Sequence, residues 1–148
     1  MQTGAPSDTI LGVGLDQLAE DVVLEFTNGL PGFPSFHRFV VRALAADMEP
    51  FARLQSLDQQ DMGFVVVPPG ALFPNYTVTV DDEYVEVLGI ESPEDVVVLT
   101  IVTLAPPPYA PTVNLLGPIV VNRRTWAAAQ VVQHGTDYGV AVPLSPSA

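Results

Sequence analysis

The sequence predicts an all-β protein, a small antiparallel β-barrel or pseudobarrel sandwich with short helical turns at its periphery. Residues 96–104 are the first reason, because this run is apolar and rich in Val, Ile and Thr, which suit a pleated surface better than a helix. The second reason is the spread of 15 prolines, which divides the chain into short extended pieces. A sheet this apolar must close on itself or be covered, since free edges and faces would aggregate.

Six segments before residue 81 are predicted strands. They span residues 10–13, 21–26, 37–44, 52–57, 63–67 and 76–80. Residues 37–44 and 52–57 mix polar and apolar positions, with arginines facing outward, as half-solvated antiparallel strands do. Residues 29–32, Gly-Leu-Pro-Gly, are predicted to form a turn. Pro68 and Pro69 are expected to end the fifth strand, because proline supplies no donor to a ladder.

Residues 81–89 depart from the strand pattern. Tyr84, Val87 and Leu88 recur at helical spacing, and acidic residues occupy the first turn, where the helix dipole favours them. Gly89 is a suitable residue to end such a helix. A short helix is therefore predicted, although the same letters also alternate and leave a strand as the competing interpretation.

The last third of the chain is predicted to return to strands. Residues 92–95, Ser-Pro-Glu-Asp, carry a helix-start signal that supports a single turn. Residues 96–104 and 112–122 are apolar runs bounded by proline and glycine, as in strands buried on both faces or nearly so. Residues 126–132 are ambiguous, since their alanines favour a helix and the following Gln-Val-Val favours a strand.

Length and composition predict one domain without covalent cross-links. A chain of 148 residues can bury about 70% of the surface that it exposes when unfolded. It has no cysteine and 48% hydrophobic residues, as expected for a reducing compartment. We expect residues 1–8 to be a flexible segment without the features of a secretory signal, residues 9–142 to be the domain, and residues 143–148 to be a disordered tail. Residues 96–105, the longest apolar run, are half of the ~20 residues that span a membrane. A cytoplasmic monomer that does not enter a membrane is predicted.

Charge limits the choice of partner. Seventeen acidic residues face five basic ones, all arginine, so the formal net charge is −12. Such a surface repels the phosphates of nucleic acids, and direct RNA or DNA binding is therefore not expected. A basic protein is the better partner, although the same charge can also serve solubility alone.

The residue types needed for catalysis are sparse. His37 and His134 lie far apart with no metal or nucleophile motif around them, and we expect both at the surface. Residues 81–83, Asp-Asp-Glu, lack the spacing of a calcium loop and are explained by the first turn of a helix. The sequence predicts no enzymatic activity, no cofactor and no metal.

Several motifs occur together in an order that is similar to that of a known family. They are Phe26-x-x-Gly-Leu-Pro-Gly-Phe33, Leu54-Gln-Ser56, Phe64-Val-Val-Val-x-Pro69, Leu88-Gly-Ile90 and Asn114-Leu-x-x-Pro-Ile-Val-x-Asn122. In this pattern the chain resembles the FliW family of flagellar assembly factors over nearly its whole length. The resemblance implies a small barrel of antiparallel strands and a strand rather than a helix at residues 126–132.

The resemblance also implies a function. FliW-like proteins bind flagellin inside the cell and bind CsrA, a small basic protein that represses flagellin translation, and the two partners compete. Seven carboxylates between positions 81 and 95 are the candidate surface that attracts CsrA by electrostatic steering. They are Asp81, Asp82, Glu83, Glu86, Glu91, Glu94 and Asp95. Leu72 and Phe73 lie on a predicted loop as candidate apolar anchors for flagellin, and a loop folded back on the core is the alternative.

Other residues of the matched motifs have structural explanations. We expect Phe33, Phe36 and Phe39 in the core or at its rim. Asn114 and Asn122 flank the predicted strand, where side-chain amides commonly satisfy the backbone of a turn.

Two other functions remain open from the sequence. A small-ligand-binding β-barrel is the main alternative, because barrels of this size can hold one ligand in their mouth. A cavity with converging polar groups would favour it, whereas a filled interior would oppose it. An acid/base or metal-dependent enzyme that uses the acidic cluster is the second alternative.

Overall fold

The computed structural model of the protein describes residues 9–10, 22–30, 35–44, 50–104 and 110–144. Within these ranges the chain forms eleven strands, one α-helix and two 3-10 turns, which confirms the predicted all-β class. The strands are β1 Thr9–Ile10, β2 Val23–Phe26, β3 Arg38–Ala43, β4 Ala52–Ser56, β5 Gly63–Val67, β6 Val78–Thr79, β7 Val96–Thr103, β8 Thr112–Val113, β9 Ile119–Asn122, β10 Ala127–Gln130 and β11 Val142–Pro143. The helix α1 is Asp82–Leu88, and the 3-10 turns are Pro69–Ala71 and Pro93–Asp95.

Seven of the described strands close into a barrel. Their order around the ring is β7, β5, β4, β3, β2, β10, β9 and back to β7. Neighbours are antiparallel except β10 and β2, which pair in parallel with Ala127 opposite Glu25. A ring with an odd number of strands cannot alternate direction throughout, so at least one parallel pair is required. The predicted antiparallel barrel is thus confirmed with one parallel pair that the sequence did not indicate.

Strand β7 is the centre of this architecture. It pairs with β9, where Val97 lies opposite Val121, and with β5, where Val102 lies opposite Val65. It also pairs with β8, which carries β11 on its other edge. The predicted strand 112–122 is therefore two short strands, β8 and β9, both of which pair with β7.

Two hydrophobic clusters lie on opposite faces of the barrel wall. Val97 and Leu99 of β7 belong to the inner cluster, with side chains from the other strands of the ring. Val96 and Val98 belong to the outer cluster, which α1 covers through Leu88. Six of the eight β7 residues are buried, and only Thr103 at its end is exposed, so the predicted burial of this strand on both faces, or nearly so, is confirmed.

Aromatic side chains fill part of the inner cluster. The rings of Phe26 and Phe39 meet edge to face with centroids 5.3 Å apart, and Phe64 lies 6.1 Å from Phe39. Phe39 is fully buried and Phe36 is half-buried against the same cluster, as predicted for core and rim. Phe33 lies outside the described residues.

Several predicted boundaries differ from the structure. The strand predicted at 76–80 contains only β6, which pairs with β1 rather than with the barrel. Pro143, which was predicted to begin the disordered tail, pairs with Thr112 in β11. Residues 1–8, 11–13 and 145–148 lie outside the described residues. Among the helices that the structure describes, none is long and apolar enough to cross a membrane.

Candidate functional site

The seven candidate carboxylates follow one another along α1 and the turn after it. Asp81 precedes the helix, and Asp82 and Glu83 occupy its first turn. Six of the seven residues are exposed, and Asp95 is half-buried. The structure thus places this set, hereafter the acidic face, on one short stretch of outer surface.

The end of α1 explains why this segment is a helix and not a strand. Gly89 has a φ of 69°, which an L-residue with a side chain adopts at a cost. In this conformation the amide of Gly89 donates to the Glu86 carbonyl, and the amide of Ile90 donates to the Val85 carbonyl at 3.0 Å. Buried Leu88 fixes the helix on the outer cluster. The helix prediction is confirmed and the competing strand interpretation is wrong.

The Pro93–Asp95 turn holds the last two carboxylates of the acidic face. The Ser92 hydroxyl accepts a hydrogen bond from the Glu94 amide at 3.3 Å and donates one to the Glu94 carboxylate. Pro93 occupies the first position, where a missing amide hydrogen costs nothing. The single turn predicted from these residues is confirmed.

The hairpin between β9 and β10 brings two arginines to the acidic face. The Arg124 Nε donates to Asp95 Oδ2 at 2.9 Å, and its Nη2 lies 3.6 Å from Glu91 Oε1. The hydrogen bond to Asp95 raises the pKa of the Arg124 guanidinium above its usual value. Arg123 donates through Nε to the Glu94 carbonyl at 2.8 Å. No local pattern signals these contacts, since Arg124 and Asp95 are 29 positions apart.

Asn122 joins this hairpin to the helix. Its side chain is fully buried, donates from Nδ2 to the Leu88 carbonyl at 2.8 Å, and accepts from the Arg124 amide at 2.9 Å. At the other end of the same motif, Asn114 Oδ1 accepts from the amides of Leu116 and Gly117. The predicted role of both asparagines in satisfying backbone groups is confirmed.

Trp126, the last residue before β10, has an unusual backbone conformation. Its φ is 68°, and it is the one non-glycine residue with positive φ in the described part of the chain. Its amide donates to the Asn122 carbonyl at 2.6 Å, and its carbonyl accepts from the Glu25 amide at 2.9 Å. Sequence reasoning missed this residue, because Gly or Asn is the usual occupant of such a position.

Leu72 and Phe73 follow the Pro69–Ala71 turn and fold back on the barrel. Both are half-buried against the outer cluster, against which Tyr84 and Val85 of α1 also pack. The Phe73 amide donates to the Pro69 carbonyl at 2.8 Å, which fixes the return of the loop. The folded-back alternative describes this loop, which packs on the same cluster as the apolar side of α1.

The buried polar side chains are all engaged inside the protein. In the described ranges these are Ser56, Thr100, Asn122 and Gln133, and each has internal hydrogen-bond partners. Gln133 binds both backbone groups of Thr79, accepting from its amide at 2.8 Å and donating to its carbonyl at 3.0 Å. A side-chain amide thus extends the ladder beside β6, a role for Gln133 that the sequence did not indicate.

Histidines and clusters of metal ligands are the groups from which a catalytic site could be built. His37 and His134 are both exposed, as predicted, and His37 Nδ1 lies 2.8 Å from the Phe26 carbonyl. The described residues contain no group of three or more His, Cys, Asp or Glu side chains arranged to hold a metal ion.

In the described part of the chain, the barrel has an apolar interior and the acidic face lies on its outer flank. These features define a small β-barrel protein with charged groups on its exterior. The model of the FliW protein family matches residues 12–144. The flagellar assembly factor FliW of Bacillus licheniformis is 42% identical over 135 residues, which cover 91% of this chain and 94% of that protein. Its counterpart in Bacillus subtilis is 39% identical over 131 residues, 88% of this chain and 91% of that protein.

A solved structure agrees with these relatives. A crystal structure of the flagellar assembly factor FliW matches with a TM-score of 0.78 and 35% identity, and the match covers 87% of this chain and 89% of that one. The chain therefore belongs to the FliW family of flagellar assembly factors. This confirms the resemblance carried by the motifs at residues 26–33 and 114–122.

Proposed function

We propose that this protein is a non-enzymatic, cytoplasmic flagellar assembly factor that binds flagellin and sequesters CsrA, and so relieves repression of flagellin translation. Family membership supports the role in flagellar assembly. The acidic face is the observation that carries the proposal of CsrA binding, because seven of the seventeen acidic residues occupy positions 81–95. A non-reactive, negative exterior suits a protein that works by binding.

Electrostatics supports a basic partner at this face. Arg123 and Arg124 contact the same surface, so seven carboxylates and two guanidinium groups leave five negative charges there. A protein of net charge −12 accelerates encounter with a basic RNA-binding protein and repels the phosphates of its RNA. CsrA would therefore lose RNA without any overlap between the two binding sites.

The half-buried apolar pair supports the second partner. Leu72 and Phe73 each retain an exposed part and lie over the cluster that α1 also covers. A flagellin segment that packs on this pair would lie over the same outer layer as a protein bound at the acidic face. We therefore expect flagellin and CsrA to compete, because both would lie over the same outer layer. We expect one copy of this chain in each complex.

Mixing purified protein, flagellin and CsrA tests the proposal directly. We expect size-exclusion chromatography with light scattering to show two separate one-to-one complexes and no ternary complex. The free protein should elute as a monomer. If neither flagellin nor CsrA binds, or if the protein turns over a substrate instead, the proposal is wrong.

A charge-matched pair of variants tests the acidic face. Glu83→Gln/Glu86→Gln and the control Asp61→Asn/Asp137→Asn both remove two exposed negative charges, but only the first pair lies on α1. In stopped flow we expect the α1 pair to slow CsrA association several-fold more than the control at low salt. The difference should fade above about 0.15 M salt, where the Debye length is about 8 Å. Equal association rates for the two pairs, or rates independent of salt, would count against steering by this face.

The described part of the barrel does not favour the ligand-binding alternative. Fully buried Leu24, Phe26, Phe39 and Leu54 belong to the inner cluster of the barrel. Among the described residues, the buried polar side chains hydrogen-bond to the protein itself, so they do not converge on a ligand.

A further inference from the structure

We propose that Arg124 is a positioning residue, which fixes α1 and the Pro93–Asp95 turn against the β9–β10 hairpin and so sets the geometry of the acidic face. The part of this inference that concerns binding rests on the proposed function. The part that concerns the geometry of α1 stands without any partner.

Arg124 connects the two elements that carry the carboxylates. Its Nη2 donates to the Gly89 carbonyl at 3.0 Å, at the end of α1, while its Nε donates to Asp95 at 2.9 Å, in the turn. The Asp95 side chain is only 14% exposed, whereas that of Glu91, the third partner, is 78% exposed. The two short hydrogen bonds of Arg124, to Asp95 and to the Gly89 carbonyl, therefore connect the turn and the helix to the hairpin. Its longest contact is with the exposed Glu91 carboxylate.

The hairpin that carries Arg124 is itself held from both sides. The Arg123 amide donates to the Asp95 carbonyl at 2.7 Å, and buried Asn122 donates to the Leu88 carbonyl at 2.8 Å. On the barrel side, Trp126 adopts a φ of 68° and packs against the inner cluster. A tryptophan persists in this strained conformation only where its surroundings impose it. The hairpin tip is therefore a fixed support from which Arg124 reaches α1.

Positioning and simple charge make opposite predictions for binding. If Arg124 only weakened the negative field, its removal would strengthen attraction for a basic partner. If it positions the acidic face, its removal leaves the carboxylates on a looser support, and a bound partner dissociates faster even though the face becomes more negative. Arg124→Gln separates the two roles, with Arg38→Gln as the control. Arg38 is exposed, pairs with Glu25 at 3.4 Å and lies on β3, so its loss changes the net charge equally.

Hydrogen exchange of the free protein decides the geometric part. In Arg124→Gln we expect the amides of Gly89 and Ile90 to exchange about tenfold faster, while amides of β7 and β9 keep their rates. Arg38→Gln should leave all of these rates unchanged. Unchanged exchange at Gly89 and Ile90 in Arg124→Gln would overturn the inference, whatever the protein binds.

Dissociation of CsrA decides the binding part. We expect Arg124→Gln to raise koff about tenfold and Arg38→Gln to leave koff unchanged. Arg124→Lys should behave like Arg124→Gln, because an ammonium group lacks the planar fork that reaches Asp95 and Gly89 together. A koff that is unchanged or lower in Arg124→Gln would show that Arg124 acts only through its charge and would overturn positioning. If the unsubstituted protein does not bind CsrA, the proposed function fails, and exchange at α1 still decides the inference.

Discussion

Single polar side chains join distant parts of this barrel. Asn122 is fully buried, yet both ends of its amide have partners, the Leu88 carbonyl and the Arg124 amide. An unpaired group at this depth would be costly, so one residue fixes the helix end and the hairpin together. Asn122 belongs to the family motif, and its physical role is to connect α1 to the barrel wall.

Asp58 has the same kind of role in the loop after β4. Its Oδ2 accepts from the amide of Arg38 at 3.1 Å and from the amide of His37 at 2.8 Å. These backbone hydrogen bonds, that of Arg38 first, lower the pKa of Asp58 below its ordinary value of 3.8. A lowered pKa in the folded state means that the charged form stabilises the fold. This stabilisation is complete above the unfolded pKa and disappears as the pH falls through the folded one.

The pH dependence of unfolding tests this arrangement. We expect Asp58→Asn to flatten the loss of stability that the original protein shows as the pH falls below about 4, because the substituted side chain no longer titrates. Asp61→Asn removes an exposed charge from the same loop without touching these hydrogen bonds and serves as the control. Urea denaturation at a series of pH values measures the effect. Parallel acid limbs for Asp58→Asn and the original protein would contradict the assignment.

At the scale of elements, α1 depends on its surroundings. A helix of seven residues is too short to be stable alone in water. Three features hold it in place, namely the left-handed Gly89 at its end, buried Leu88 below it and the side chains of Asn122 and Arg124 in the hairpin, which donate hydrogen bonds to its last carbonyls. The short helix is therefore the element most sensitive to a local change.

A glycine comparison measures the contribution of the helix end. Gly89→Ala should destabilise the protein by about 1–2 kcal/mol, because alanine is strained at a φ of 69°. An added Cβ there would meet only the Asn122 amide at 3.8 Å, so crowding does not contribute. Gly70→Ala is the control, since its φ is ordinary and its Cβ would meet nothing within 4 Å. Denaturant midpoints measure both, and equal midpoints would show that the Gly89 conformation does not limit stability.

At the scale of the whole molecule, β7 makes the inner and outer clusters one structure. Consecutive residues of this strand alternate between the clusters, so neither can be lost without the other. The same strand closes the odd-numbered ring by pairing with β5 and β9. We therefore expect the barrel and its outer layer to unfold together.

Two leucines at β7 test this coupling. Leu99→Ala should cost about 2–5 kcal/mol, because Leu99 is fully buried in the inner cluster. Leu104→Ala, just after the strand and 65% exposed, should change stability by less than about 0.5 kcal/mol. Fluorescence of Trp126 and far-UV circular dichroism should report one common transition in both variants. Separate transitions would show that the outer layer unfolds independently of the barrel.

Much of the fold follows from local pattern. The β-branched run of β7, the prolines around it and the capping residues Ser92 and Gly89 act over a few positions, so the sequence by itself determined the all-β class, the short helix and the single turn. The family motifs are also short stretches of sequence, so the sequence by itself determined the relationship to other flagellar assembly factors.

Only the tertiary structure decided how these pieces meet. The parallel pair that closes the ring, the split of residues 112–122 into β8 and β9, and the left-handed Trp126 all depend on neighbours far away in sequence. The two arginines of the hairpin illustrate the limit most clearly, because their charge is visible in the sequence and their docking on the acidic face is not. Local propensity acts over a turn or a strand, whereas the Arg124–Asp95 pair joins residues 29 positions apart and the parallel pair that closes the ring sets Ala127 opposite Glu25. Only packing of the complete chain selects such contacts.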